Sequence, residues 1–96
     1  HTLSLHDALP ISRLRELDAE MELLQAKADR LEADARQKNR TVLDDLREQR
    51  DRVAERLQSY RESAGSAIDE IRRGLESAAD SLSEGIKRAS KRLEEE

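Results

Sequence analysis

The chain has 96 residues and contains no Cys, Trp or Phe, with one Tyr, one Met, one Pro and three Gly. Lack of cysteine excludes a disulfide framework, a thiolate metal site and a thiol nucleophile; such a chain suits a reducing cytoplasm, the compartment expected here. Scarce aromatics remove the bulky side chains on which a small globular core usually depends. No apolar run approaches the roughly 18–20 residues of a membrane-spanning helix. No basic stretch followed by a long apolar one opens the chain, as a secretory leader would require. An excess of one charge is also missing: 18 Lys and Arg stand against 22 Asp and Glu, for a net charge of -4. The two signs are intermixed, which argues against a nucleic-acid partner, since that would need positive charge gathered on one face.

What remains is rich in charge and poor in helix breakers. Charged residues make up 42% of the chain and apolar residues 35%. A mixture of Ala, Leu, Glu, Arg, Asp and Ser predicts an all-α protein of long amphipathic helices, arranged as a helical hairpin or as a single long coiled-coil helix.

Residues 1–12, HTLSLHDALPIS, differ from the rest: they hold both histidines and the only proline and show no helical period. The run Thr2–Ile11 resembles, residue for residue, one reading frame of a common sequencing-adapter DNA. That resemblance implies an artefactual, non-native segment joined to a truncated gene fragment, expected to form no part of the packed structure. From Arg13 onward there is no His, Cys, Pro, Trp or Phe, and the net charge becomes -3 because Asp7 is the one charged residue lost. A serine nucleophile there would lack an imidazole base, and zinc would lack nitrogen and sulfur ligands. Carboxylates abound, but acid–base work needs a concave, water-excluding site to shift their pKa values. The expectation is therefore no enzyme, with no catalytic, metal or cofactor-binding residues and no small-molecule substrate.

The apolar positions set the architecture. Leu14, Leu17, Met21, Leu24, Ala28, Leu31, Ala35 and Val42 fall at spacings of three and four, with Lys38 as a polar slot. This is a heptad seam, thinned by alanine. After Val42 the chain divides into five blocks of 11: VLDDLREQRDR, VAERLQSYRES, AGSAIDEIRRG, LESAADSLSEG and IKRASKRLEEE. Eleven residues over three turns is about 3.67 per turn, a nearly straight or slightly right-handed stripe. Gly74 and Gly85 repeat in the same register. The best break is Arg61–Ser66, where Gly65 can take the left-handed conformation that ends a helix. Ser66 followed by Asp69 and Glu70 resembles a helix start. A hairpin would then have a long charged helix over 13–62 and an amphipathic helix over 66–96. Against a break, the 11-residue phase runs through it.

Opposite charges four apart, at Arg30/Asp34, Glu32/Arg36, Arg40/Asp44, Arg47/Asp51, Glu48/Arg52, Asp69/Arg73 and Glu84/Arg88, suit solvated helix faces. The apolar stripe must find a partner, because a lone helix in water buries nothing. Its candidate interface residues are Leu46, Val53, Leu57, Tyr60, Ile68, Ile71, Leu75, Leu82, Ile86 and Leu93, with Ile71 and Leu82 carrying most and the Tyr60 hydroxyl reaching solvent.

The stretch Ser66–Leu82, SAIDEIRRGLESAADSL, resembles a family of small bacterial coiled-coil proteins described as stress-response proteins and first noted in cyanobacteria. In that family a segment of the form S-G-x-A-W-x-x-L-K-x-G-x-x-x-A-W-x-x-L follows a long charged helix. Ala67, Ile71, Arg72, Gly74, Ala78 and Leu82 match it, and upstream KADRLEADARQ (Lys27–Gln37) and LREQRDRVAERL (Leu46–Leu57) are also similar. The resemblance covers about residues 20–96. It fails where the family has its two tryptophans, at Ile68 and Ala79, so no aromatic anchoring role carries over. It implies a coiled-coil protein in a stress setting and supplies no catalytic residues.

The expected function is a non-enzymatic coiled-coil structural or interaction module, pairing with itself or with another helical protein through the stripe. The alternative is an amphipathic helix that binds lipid surfaces reversibly, with Lys87, Arg88, Lys91 and Arg92 facing anionic headgroups. Against the alternative, the stripe is rich in alanine and has no aromatic anchors.

Overall fold

The computed structural model describes the backbone of residues 5–63 and 65–95, and the side chains of residues 11–63, 65 and 67–95. Among these residues the chain is all-α, as its composition predicts. Three helices follow one another: α1 (Leu5–Asp29), α2 (Ala33–Glu62) and α3 (Ile68–Glu94), the last preceded by a 3-10 turn at Gly65–Ala67. Each helix packs on both others. Within the all-α class this is one helix more than the expected hairpin, and two more than a single coiled coil.

The additional break falls at Arg30–Glu32, inside the segment read as one helix over 13–62. No Gly or Pro marks it. The last turn of α1 closes through Arg30 N–H to Lys27 O (3.2 Å) and Leu31 N–H to Ala28 O (3.1 Å). Glu32 then turns to extended backbone (φ -65°, ψ 159°), makes no side-chain cap, and accepts the first bond of α2 from the Arg36 amide at 3.0 Å. Local propensity does not ask for this corner; burial does. A continuous helix would leave Leu17, Leu24 and Ala28 in water, whereas folding back buries all three.

The corner also shifts the seam. The heptad series running from Leu14 through Ala35 to Val42 does not stay on the inner face: Asn39 and Leu43 are buried in place of Lys38 and the half-buried Val42, one residue later, whereas Leu46, Val53, Leu57 and Tyr60 are buried as expected. The polar slot is filled by Asn39, whose Nδ2 donates to Ala35 O at 2.8 Å one turn back. Such a bond satisfies a buried amide at little cost in packing.

At the second corner Ser63 takes extended backbone (φ -78°, ψ 149°), donates its amide to Tyr60 O at 3.2 Å and its hydroxyl to Ser59 O at 2.6 Å. Gly65 has φ +81°, the left-handed region expected for it and one that a Cβ disfavours. The helix start differs in detail from the expectation: Ser66 lies within the 3-10 turn, and the residue flanking α3 is Ala67, without a side-chain cap. Asp69 and Glu70 do sit in the first turn, where carboxylates favour the helix dipole.

Residues 1–4 and the side chains of residues 5–10 lie outside the described residues. From Leu5 the backbone is helical and continuous with α1, and Ile11 packs, half-buried, against the core. The expectation that residues 1–12 contribute nothing to packing is corrected at that point. Helix propagation from Arg13 carries the preceding residues with it, and Ile11 falls three residues before Leu14 on the same face.

Candidate functional site

The structure gathers the apolar stripe into a seam between its own helices. Of the ten expected interface residues, Leu46, Val53, Leu57, Tyr60, Leu75, Leu82, Ile86 and Leu93 are buried, while Ile68 and Ile71 are half-buried at the α3 entrance. Helix α1 adds Leu17, Leu24 and Ala28; α2 adds Leu43; α3 adds Ala79 and Ala89. The partner that the stripe requires is thus supplied first by the same chain. Leu82 is the most enclosed, at 0% exposure. Ile71 does not match it, because it lies near the open end of the bundle. Tyr60 is 2% exposed, so its ring and hydroxyl are inside, not at the solvent boundary.

Helix α2 approaches α3 closely where the glycine repeat falls. A Cβ on Gly85 would lie 2.8 Å from Leu46 Cδ2, and one on Gly74 would lie 3.0 Å from Arg56 Nη1. The in-register glycines therefore accommodate α2 side chains. These two pairings run in opposite chain directions and fix α2 and α3 as antiparallel.

Polar side chains frame the seam. Arg50 holds Asp18 with two bonds, Nε to Oδ1 at 2.6 Å and Nη2 to Oδ2 at 3.0 Å, clamping α2 on α1. This fork geometry is the strongest form of the pair. The hydrogen bond from Arg50, aided by its charge and opposed by partial burial, holds the Asp18 carboxyl below its ordinary 3.8. Arg50 in turn holds its proton more tightly, mainly through the bond to Asp18. Lys27 on α1 reaches Ser90 Oγ (2.6 Å) and Glu94 Oε1 (2.8 Å) on α3, and the bond from Lys27 lowers the Glu94 pKa. Arg13 pairs with Asp80 near the other end of the same helix pair. Together these place α1 parallel to α3 and antiparallel to α2.

Several of the charges read as four-apart pairs are used differently. Glu48 and Arg52 do pair, at 3.9 Å, but Arg47 bonds Asp44 three residues away and Gln25 on α1, and Asp69 meets Arg72. Sequence spacing could not show that a neighbouring helix would compete for these groups.

The basic cluster of α3 divides between two sides. Lys87 and Lys91 line a groove of about 580 Å³ between α1 and α3, with the buried Leu24 and Ile86 beneath. Arg88 and Arg92 lie on the α2 side, beside Val42 and Gln49. Leu23 is 66% exposed at the groove rim. Among the described residues no group of three or more His, Cys, Asp or Glu side chains is placed to hold a metal ion, and no helix is long and apolar enough to cross a membrane.

Comparison with protein-family models, with curated proteins and with solved structures finds no match to this chain.

Proposed function

We propose that the chain is a non-enzymatic helical interaction module of the cytoplasm that self-associates through its apolar stripe. One observation carries this reading: the large apolar side chains of α2 and α3 lie on one continuous line, while the remaining faces are charged. A seam of this kind offers helix-to-helix contact and little else. The buried alanines Ala79 and Ala89 keep it thin. The likeness of Ser66–Leu82 to bacterial stress-response coiled coils adds a setting, in which association would answer stress. A lipid-surface role would require α3 to leave the bundle and expose Ile86, Ala89 and Leu93, which are buried.

The test is sedimentation equilibrium of the full chain from micromolar to millimolar concentration, with and without anionic phosphatidylserine vesicles. Reversible, concentration-dependent association supports the module. A monomer at every concentration that transfers to vesicles with a rise in helicity overturns it in favour of the lipid surface. A monomer indifferent to both overturns either reading.

A further inference from the structure

Resting on the self-association reading, we infer how two copies join: by opening the Gly65 corner, so that α2 and α3 become one straight helix and each chain docks its α3 on its partner's α1 and α2. The partner is a second copy of this chain, and the contacts are those of the closed monomer exchanged between chains.

Three observations support the exchange. First, the buried faces of α2 and α3 share one helical phase. From Asn39 to Leu93 is 54 residue steps, fifteen turns at 3.6 residues per turn, and the buried positions of the two helices centre within about 15° of each other. A hairpin does not need this, because the corner between its arms can absorb any rotation. A continuous helix does need it, and it is the structural counterpart of the 11-residue period that runs through the corner. Second, the antiparallel register is centred on the corner. The facing pairs Leu46/Gly85 and Arg56/Gly74 have midpoints at 65.5 and 65. In two straightened chains the same pairs would therefore form across a two-fold axis passing through Gly65, without a change of register. Third, at Gly65 itself the corner rests on a backbone conformation that a side chain disfavours, with open space around it. Gly65 has φ +81° and is exposed, and a Cβ there would meet nothing within 4 Å.

The size of the open form is distinctive. The closed chain measures 50 × 22 × 16 Å. A continuous helix from Ala33 to Glu94 would be about 93 Å long at 1.5 Å per residue. The exchanged dimer is thus a rod of two three-helix bundles end to end, each completed by the other chain's α3.

Gly65→Ala tests the inference directly. In the closed chain the new Cβ is strained at positive φ, and in the straight helix alanine replaces a poor helix former with the best one. Both effects favour the open dimer and act in both chains, so dimerisation should strengthen on the order of a thousandfold. Gly65→Asn, which tolerates the left-handed conformation, should behave much more like the parent. The measurements are light scattering after size exclusion across concentration, and small-angle X-ray scattering of the dimer. The expected result is a Gly65→Ala dimer with a maximum dimension of about 90–100 Å and undiminished helicity. Equal dimerisation of Gly65→Ala and parent overturns the exchange, as does a dimer of Gly65→Ala shorter than about 70 Å, and both leave self-association by another surface standing. Unfolding of Gly65→Ala overturns it too, because the open dimer gives that alanine a helical place. If neither chain associates at any concentration, the exchange and the self-association reading fall together.

Discussion

Leu82→Ala should be the most damaging simple truncation in the bundle. Leu82 is wholly enclosed and lies midway along α3, where the register sets it against the Leu46–Val53 stretch of α2 and the Leu14–Leu17 turn of α1. The change removes three carbons, worth about 2.4 kcal/mol at about 0.8 kcal/mol per buried methylene. A residual void of about 50 Å³ adds about 1.2 kcal/mol at about 24 cal/mol per Å³. The expected loss is thus about 3–4 kcal/mol, against a total stability of about 5–14 kcal/mol for a chain of this length. At about 4–8 °C per kcal/mol the melting temperature should fall by about 12–30 °C. Urea and thermal melts followed by circular dichroism measure this, with Glu76→Ala on an exposed position as the control, expected within about 0.5 kcal/mol. Ile71→Ala, at a half-buried site, should cost roughly half as much as Leu82→Ala. A loss below about 1 kcal/mol at Leu82, or equal losses at Leu82 and Glu76, would refute the assignment of the seam.

Two further outcomes follow from the frame and the N-terminus. The Asp18 and Glu94 pKa values are depressed by bonds from Arg50 and Lys27, so their stabilisation is present above the ordinary values of 3.8 and 4.5 and is lost as pH falls through the lower folded ones. The bundle should therefore weaken from about pH 4.5 downward, and Asp18→Asn should cost at most about 1 kcal/mol at neutral pH while flattening that decline. Acid melts in which the Asn variant declines as steeply as the parent would count against the Arg50 clamp. Ile11→Ser should lower stability by about 1 kcal/mol, since a half-buried isoleucine is lost from the core; an unchanged melt would mean that the start of α1 does not dock.

Much of this structure is legible in the residue pattern, for reasons that also explain what is not. The helical class follows from the scarcity of breakers, and the corner at Gly65 follows from a glycine able to take positive φ just before a helix-start pattern at Ser66, Asp69 and Glu70. The seam of α3 is read correctly at Leu75, Leu82, Ile86 and Leu93 because a long periodic run averages out local exceptions. The corner at Arg30–Glu32 leaves no such mark. It is imposed by the burial of residues on both sides of it, and Glu32 adopts backbone angles open to any residue. Missing it puts the expected inner face at the start of α2 on Val42 where the structure has Leu43. Tyr60 is read correctly as a seam residue, but its hydroxyl is enclosed and not at solvent, because the enclosure that a third helix provides is invisible in a two-helix reading. The Arg50–Asp18 clamp joins positions 32 apart, beyond the reach of any pairing rule within one helix. The stripe's residues are recognisable by period alone, whereas the choice between closing on itself and reaching another chain depends on corner conformation, and a corner has no period.

The parallel placement of α1 and α3 has a kinetic side. Helices α1 and α2 are adjacent in sequence and meet across a corner of three residues, so their pairing closes a short loop at small entropic cost. Their hairpin can form while the rest of the chain is still leaving the ribosome. Helix α3 then arrives at a groove whose two walls are already standing, and bundles built from such neighbouring contacts fold in microseconds to milliseconds. Synthesis order thus makes α3 the last piece to find its place. In a crowded polysome, where nascent copies are held side by side, the first vacant groove that a finished α3 meets can belong to the neighbouring chain.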